Sequence, residues 1–124
     1  MEQDVHASGL EELMKFSDSE PVFMLNLLDY KEVVKETGNT GEETYKQYMK
    51  AAIPFFEKIN AELIFKGKPQ SYILGSNMDK LWDEVLIVKY ANKYEFFKLM
   101  QFKDYPRALR ASALKDSKLI FCKS

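Results

Sequence analysis

The chain has 124 residues and a net charge of −1 from 18 basic and 19 acidic side chains; this suits one globular core and leaves no excess positive field for nucleic acid or anionic lipid. A single cysteine, Cys122, and a single histidine, His6 near a terminus expected to be mobile, exclude an intramolecular disulfide and disfavour zinc sites, a Ser-His-Asp triad and histidine-ligated haem. No run approaches about 20 apolar residues, and the N-terminal Met-Glu-Gln-Asp-Val-His is acidic, so neither a membrane span nor a signal peptide is expected and the cytoplasm is the default location.

Ser8-Gly-Leu-Glu11 reads as a capping box, predicting a short helix to about Phe16 that buries Leu10, Leu13 and Met14. Ser17 to Pro21 is a polar turn, and Val22 to Leu28 is the first strand, opened by Pro21. Asp29 to Asn39 is charged, ends in Thr-Gly-Asn and is predicted as a mobile loop. Thr40-Gly-Glu-Glu43 is a second capping box. In the helix after it, Tyr45, Tyr48, Met49, Ala52, Ile53, Phe56 and Ile59 share one face, and Pro54 predicts a kink.

Ala61 to Lys68 is the second strand, broken near Gly67-Lys-Pro69, with Ser71 to Gly75 extending it or forming an edge ribbon. Ser76 to Lys80 is a turn, and Asp83 to Tyr90 is the third strand. Asn92 caps a helix predicted to bury Phe96, Phe97 and Met100. Pro106 starts a short helix to about Leu114, and Ser117 to Lys123 is the last strand. The order is βαββαβ behind an extra N-terminal helix and turn at about residues 1–19. It predicts an α+β, ferredoxin-like single domain: a four-stranded antiparallel sheet with its helices on one face.

The strands are apolar on both faces. Phe23, Leu25 and Leu27 oppose Val22, Met24, Asn26 and Leu28, and Val85 and Ile87 oppose Leu86, Val88 and Tyr90. Helices cover one set. The other would leave a patch larger than soluble monomers usually carry, so a homodimer packed sheet to sheet is expected.

Met24-Leu-Asn26-Leu-Leu28, Tyr45-Lys-Gln-Tyr48, Trp82-Asp-Glu-Val85, Tyr105 and Arg110 to Ser117, in this order and spacing, resemble the domain of unknown function 1330 family of the dimeric α/β-barrel superfamily. The resemblance covers about residues 10 to 122. It implies a ferredoxin-like subunit that dimerises through its sheet; related families include cofactor-free monooxygenases, isomerases and haem-handling enzymes. Members often carry a histidine beside the arginine in the region of Ala108 to Arg110. Here Leu109 precedes Arg110, which puts any mechanism needing an imidazole at that place in doubt.

Asn26 is an amide inside an apolar strand; it either orients a ligand or bonds a neighbouring helix or the partner subunit. Trp82 and Glu84, two apart, are candidates for an aromatic floor beside a base, against a tryptophan closing the barrel end and a solvated glutamate. Tyr45 and Tyr48 either donate into a pocket or pack with hydroxyls at its rim, and Tyr105 either closes over a pocket or anchors its loop. Arg110, one of only two arginines with Arg107, suits a carboxylate or enolate, against a salt bridge to Asp116 or Glu84. Cys122 reads as a small apolar filler.

The resulting expectation is a cytoplasmic homodimer with an apolar pocket for a small apolar or aromatic acid. No metal or bound organic cofactor is expected. The chemistry would be oxygenation, isomerisation or lyase-type proton transfer. The alternative is a non-catalytic ligand-binding or structural dimer module.

Overall fold

The computed structural model describes residues 5–124; Met1 to Asp4, the start of the acidic stretch read above, lie outside the described residues. The elements follow the order α1 (Ala7–Lys15), β1 (Val22–Tyr30), α2 (Gly41–Lys58), β2 (Glu62–Gly67), β3 (Glu84–Tyr90), α3 (Lys93–Gln101), α4 (Arg107–Ala113) and β4 (Leu114–Cys122). The strands lie in the order β2-β3-β1-β4, and each neighbouring pair is antiparallel. This is the ferredoxin-like α+β arrangement, with β1 and β3 central. Among the described residues no helix is long and apolar enough to cross a membrane.

Local chemistry explains most of the boundaries. At the start of α2 both halves of the capping box form: the Glu43 N–H donates to Thr40 Oγ1 at 3.1 Å, and the Thr40 N–H donates to Glu43 Oε1 at 2.9 Å. The next residue, Gly41, cannot be anything larger. A Cβ there would lie 2.4 Å from the Ala113 carbonyl oxygen and 2.5 Å from the Lys31 backbone. Its N–H donates to the Lys31 carbonyl, and the Lys31 N–H donates to the Ala113 carbonyl. One backbone junction thus fixes where β1 ends, α2 begins and α4 turns into β4. Asn92 caps α3 by accepting from the N–H groups of Tyr94 and Glu95. Pro54 lies within α2, which continues through it to Lys58.

Several expectations are corrected. The first capping box does not form: α1 begins at Ala7, its N-cap is His6 without a side-chain bond, and Ser8 is inside the helix. Only Leu13 of this helix is buried; Leu10 and Met14 are exposed because α1 touches the body along a single narrow stripe. The segment predicted as a mobile loop extends β1 to Tyr30 and then closes as a turn, with Val34 buried and its N–H bonded to the Asn39 carbonyl at 2.7 Å. Ser71 to Gly75 forms no strand. It belongs to the connector between β2 and β3, where the Tyr72 hydroxyl donates to the carbonyls of Asp79 and Lys80 instead of the backbone extending the sheet edge. Ile53 and Met100 are exposed, and Leu99 fills the core position expected of Met100. β4 starts at Leu114, three residues earlier than predicted, because a register shift at Asp29/Tyr30 lets Tyr30 pair with Leu114.

Parity holds along both central strands. Val22, Met24, Asn26 and Leu28 of β1 and Glu84, Leu86, Val88 and Tyr90 of β3 are buried on the helix-covered face. On the opposite face Leu25 lies between Ile87 and Ile120, and Phe65 pairs with Ile87. Phe65 and Ile120 are 54% and 41% exposed, so this face is an apolar surface open at its margins.

Candidate functional site

The covered face does not pack solid. Between the sheet and helices α2, α3 and α4 lies a cavity of about 190 Å³. Leu86, Val88, Phe96 and Leu99 form an apolar wall, and among the described residues Asn26, Tyr45, Tyr48, Tyr90, Tyr105, Arg107 and Arg110 supply the polar side chains of the lining. Met100 and Leu119 at its rim are exposed.

Each polar group is set by its element. Asn26 faces inward because of strand parity, and its Nδ2 donates to the Met24 carbonyl at 3.2 Å. Arg110 projects from α4, and its Nη2 donates to Asn26 Oδ1 at 3.2 Å. The two polar candidates of the sequence therefore meet, and Asn26 takes the helix bond foreseen for it. The salt bridge weighed for Arg110 does not form: Asp116 pairs with Lys80, and Glu84 accepts from the Tyr30 hydroxyl. Tyr45 and Tyr48 come from the buried face of α2, and Tyr105 from the turn before α4; the hydroxyls of Tyr48 and Tyr105 are hydrogen-bonded to each other. Ring packing holds this wall together, with Tyr30–Tyr45, Tyr45–Tyr48 and Tyr48–Tyr105 centroids 5.7, 5.1 and 6.0 Å apart.

Burial dominates the electrostatics. It pushes the phenols of Tyr45 and Tyr105 up to about 12, and those of Tyr48 and Tyr90 higher still, so all four are neutral donors at ordinary pH. Burial also works against the charge on Arg110. The oxygens of Tyr45, Tyr48 and Tyr105 more than offset it, and Arg110 stays protonated. A guanidinium has five N–H donors. Asn26 and Tyr45 engage only part of that capacity, and Arg110 has no carboxylate partner among the described residues. Among the described residues the lining contains no carboxylate, imidazole or amine. The arrangement presents one positive charge and several hydrogen-bond donors, and among the described residues it carries no conventional base.

Trp82 and Glu84 lie elsewhere. Glu84 is 3% exposed, accepts from the Tyr30 hydroxyl and lies outside the cavity lining. Trp82 precedes β3, with the Lys80 ammonium 4.2 Å above its ring, and lines an open groove of about 480 Å³ with Tyr30, Thr40, Glu42, Lys68 and Asp83. The tryptophan and the glutamate therefore do not form one floor-and-base unit with Asn26 and Arg110. Tyr90 and Arg107 are the polar lining residues that the sequence reading left out. Tyr90 carries the same inward parity as Leu86 and Val88. Arg107 stands three residues before Arg110, a helical spacing, and its Nη2 donates to the carbonyls of Met100 and Phe102.

Comparison with known proteins supports the fold. No family model matches the chain, and no curated protein matches it. Among solved structures it is similar to a protein of unknown function from Rhodopseudomonas palustris, with 25% identity and a TM-score of 0.81 over 98% of this chain and 95% of that one. The methylated form of that protein gives 24% identity and a TM-score of 0.82 over 98% and 93%. A hypothetical protein from Arabidopsis thaliana gives 12% identity and a TM-score of 0.52 over 89% and 93%. These likenesses carry the ferredoxin-like fold and bring no activity with them.

Proposed function

We propose that the chain is a cytoplasmic homodimer, in the manner of the domain of unknown function 1330 proteins it resembles, and that each subunit holds a small apolar or aromatic acid in the cavity, acting on it without metal or organic cofactor. The observation that carries this reading is a half-buried guanidinium, without a carboxylate partner among the described residues, at the wall of a largely apolar cavity. Leaving such a charge unpaired is costly, and a ligand carboxylate supplies the missing acceptor in bidentate geometry. The volume limits the ligand to about one ring with a short chain. Dimerisation is supported by the open sheet face, whose central residues Leu25 and Ile87 pair with each other and are flanked by Phe65 and Ile120.

The non-catalytic reading uses the same cavity and is favoured by one observation, the direct bond between Asn26 and Arg110, which partly satisfies both groups before any ligand arrives. Thermal shift with benzoate and its neutral analogue benzamide tests the cavity itself. Benzoate should raise the melting temperature and benzamide should not, and Arg110→Met should abolish the benzoate effect. Benzoate affinity should be flat from about pH 6 to 9, because the phenols stay neutral and Arg110 stays charged across that range. An absence of benzoate binding, together with native mass spectra showing no co-purified acid, would sink the reading.

A further inference from the structure

A cavity that only held an acid would need Arg110 and apolar walls, but this one also contains a coupled pair of phenols. Tyr48 and Tyr105 are 3% and 7% exposed, line the cavity and hydrogen-bond to each other through their hydroxyls. Arg110's charge acts on both oxygens. Each phenol can accept a proton on its oxygen while releasing its own, so the pair can take up one proton and give up another with its total unchanged. Among the described residues, no carboxylate, imidazole or amine lies in the lining to take a proton from a substrate and keep it. Net proton abstraction therefore lacks a base here, whereas moving a proton from one atom to another of the same molecule does not need one.

We propose that the cavity interconverts the enol and keto forms of small 2-oxo acids, with the Tyr48–Tyr105 pair as the proton relay and Arg110 holding the carboxylate. This rests on the acid-binding reading and narrows it to one reaction. In the enol-to-keto direction the enol O–H bond breaks and its proton passes to one phenol oxygen. That phenol's proton crosses the hydrogen bond to the second phenol, and the second phenol's proton goes to the carbon beside the carbonyl carbon. The C=C electron pair forms the new C–H bond, an oxygen electron pair completes C=O, and both tyrosines end as they began. Nothing is oxidised, and no water or cofactor is consumed. Arg110 stabilises the negative charge that develops on the enol oxygen during the transfer. The apolar wall of Leu86, Val88, Phe96 and Leu99 selects an aromatic or branched side chain on the substrate.

The probe is the enol form of phenylpyruvate, whose ultraviolet absorbance falls as the ketone forms, with phenylpyruvate binding followed separately by ligand-observed NMR. The full chain should accelerate ketonisation at least a thousandfold over buffer. Tyr48→Phe and Tyr105→Phe keep the ring packing and should each lower kcat about a hundredfold with KM little changed. Arg110→Met should raise KM and also lower kcat, because it removes both the carboxylate contact and the charge facing the enol oxygen. Circular dichroism of each variant checks that it has folded. Binding of phenylpyruvate with ketonisation at the buffer rate would overturn the relay and leave the acid cavity standing. Activity that survives in the Tyr48→Phe/Tyr105→Phe double variant would also overturn it. Absence of binding to both phenylpyruvate and benzoate removes the acid-binding reading and the relay with it.

Discussion

The two faces of the sheet are made from the same strands and are about equally apolar, yet they end in different states. On one face Met24, Leu28, Leu86 and Val88 are sealed under helices, and the polar exceptions, Asn26 and Glu84, each find a partner. On the other, Leu25, Ile87, Phe65 and Ile120 form a stripe with no polar group among them. Apolar content alone says nothing of what covers a face. The difference lies in the polar residues: a face that closes within the chain can place an amide opposite a guanidinium at a fixed register, as Asn26 and Arg110 show.

Substitutions on neighbouring residues of β3 separate the two faces. Ile87→Asp puts a charge at the centre of the open face. In sedimentation it should weaken self-association on the order of a thousandfold, about 4 kcal/mol, and halve the mass while leaving the circular dichroism intact. If the mass is unchanged, or the wild type is already a compact monomer, the open face is not an interface between copies. Leu86→Ala, one residue away on the covered face, should instead cost about 3 kcal/mol in denaturant unfolding, because it enlarges a cavity in the packed side.

Alkaline titration reads the buried phenols of the covered face. The phenols of Tyr45 and Tyr105 have folded-state values near 12, above the unfolded value of about 10. Between those limits the unfolded chain has lost protons that the folded chain keeps. Stability should therefore be flat below about pH 10 and fall between pH 10 and 12, by up to about 1.4 kcal/mol per pH unit for each such tyrosine. Denaturant midpoints followed with tyrosinate absorbance will show whether loss of structure and ionisation coincide. At the small end, Thr40→Ala should cost about 1 kcal/mol, and Ser8→Ala should cost almost nothing, because only the first of these caps forms.

The fold was largely legible because it rests on local signals. The period of α2, the Thr40 and Asn92 caps and the alternation in β1 and β3 each declare themselves within a few residues. The site was legible one residue at a time but not as a constellation. Asn26 stood out as an amide in an apolar run, and Arg110 as a rare arginine, yet their hydrogen bond spans 84 positions and depends on how α4 docks. A local misreading explains why the expected unit of Trp82 and Glu84 does not form. They are two apart in sequence, but the strand begins only at Glu84, so the alternation linking them does not operate. Gly41 reads as one letter of a capping box, and only the approach of Lys31 and Ala113 reveals why it has no side chain.

Lys93 shows how the extra N-terminal helix is joined to the rest. Its ammonium, buried at the start of α3, donates to the carbonyls of Met14 and Phe16, the latter at 2.7 Å, and pairs with Asp18 at 3.1 Å. All three acceptors come from the end of α1 and the turn after it, a stretch that the βαββαβ pattern itself does not require. Cutting the chain before β1 would therefore strip a buried cation of these partners. A shortened version that starts at the first strand should therefore be less stable than its fold diagram implies.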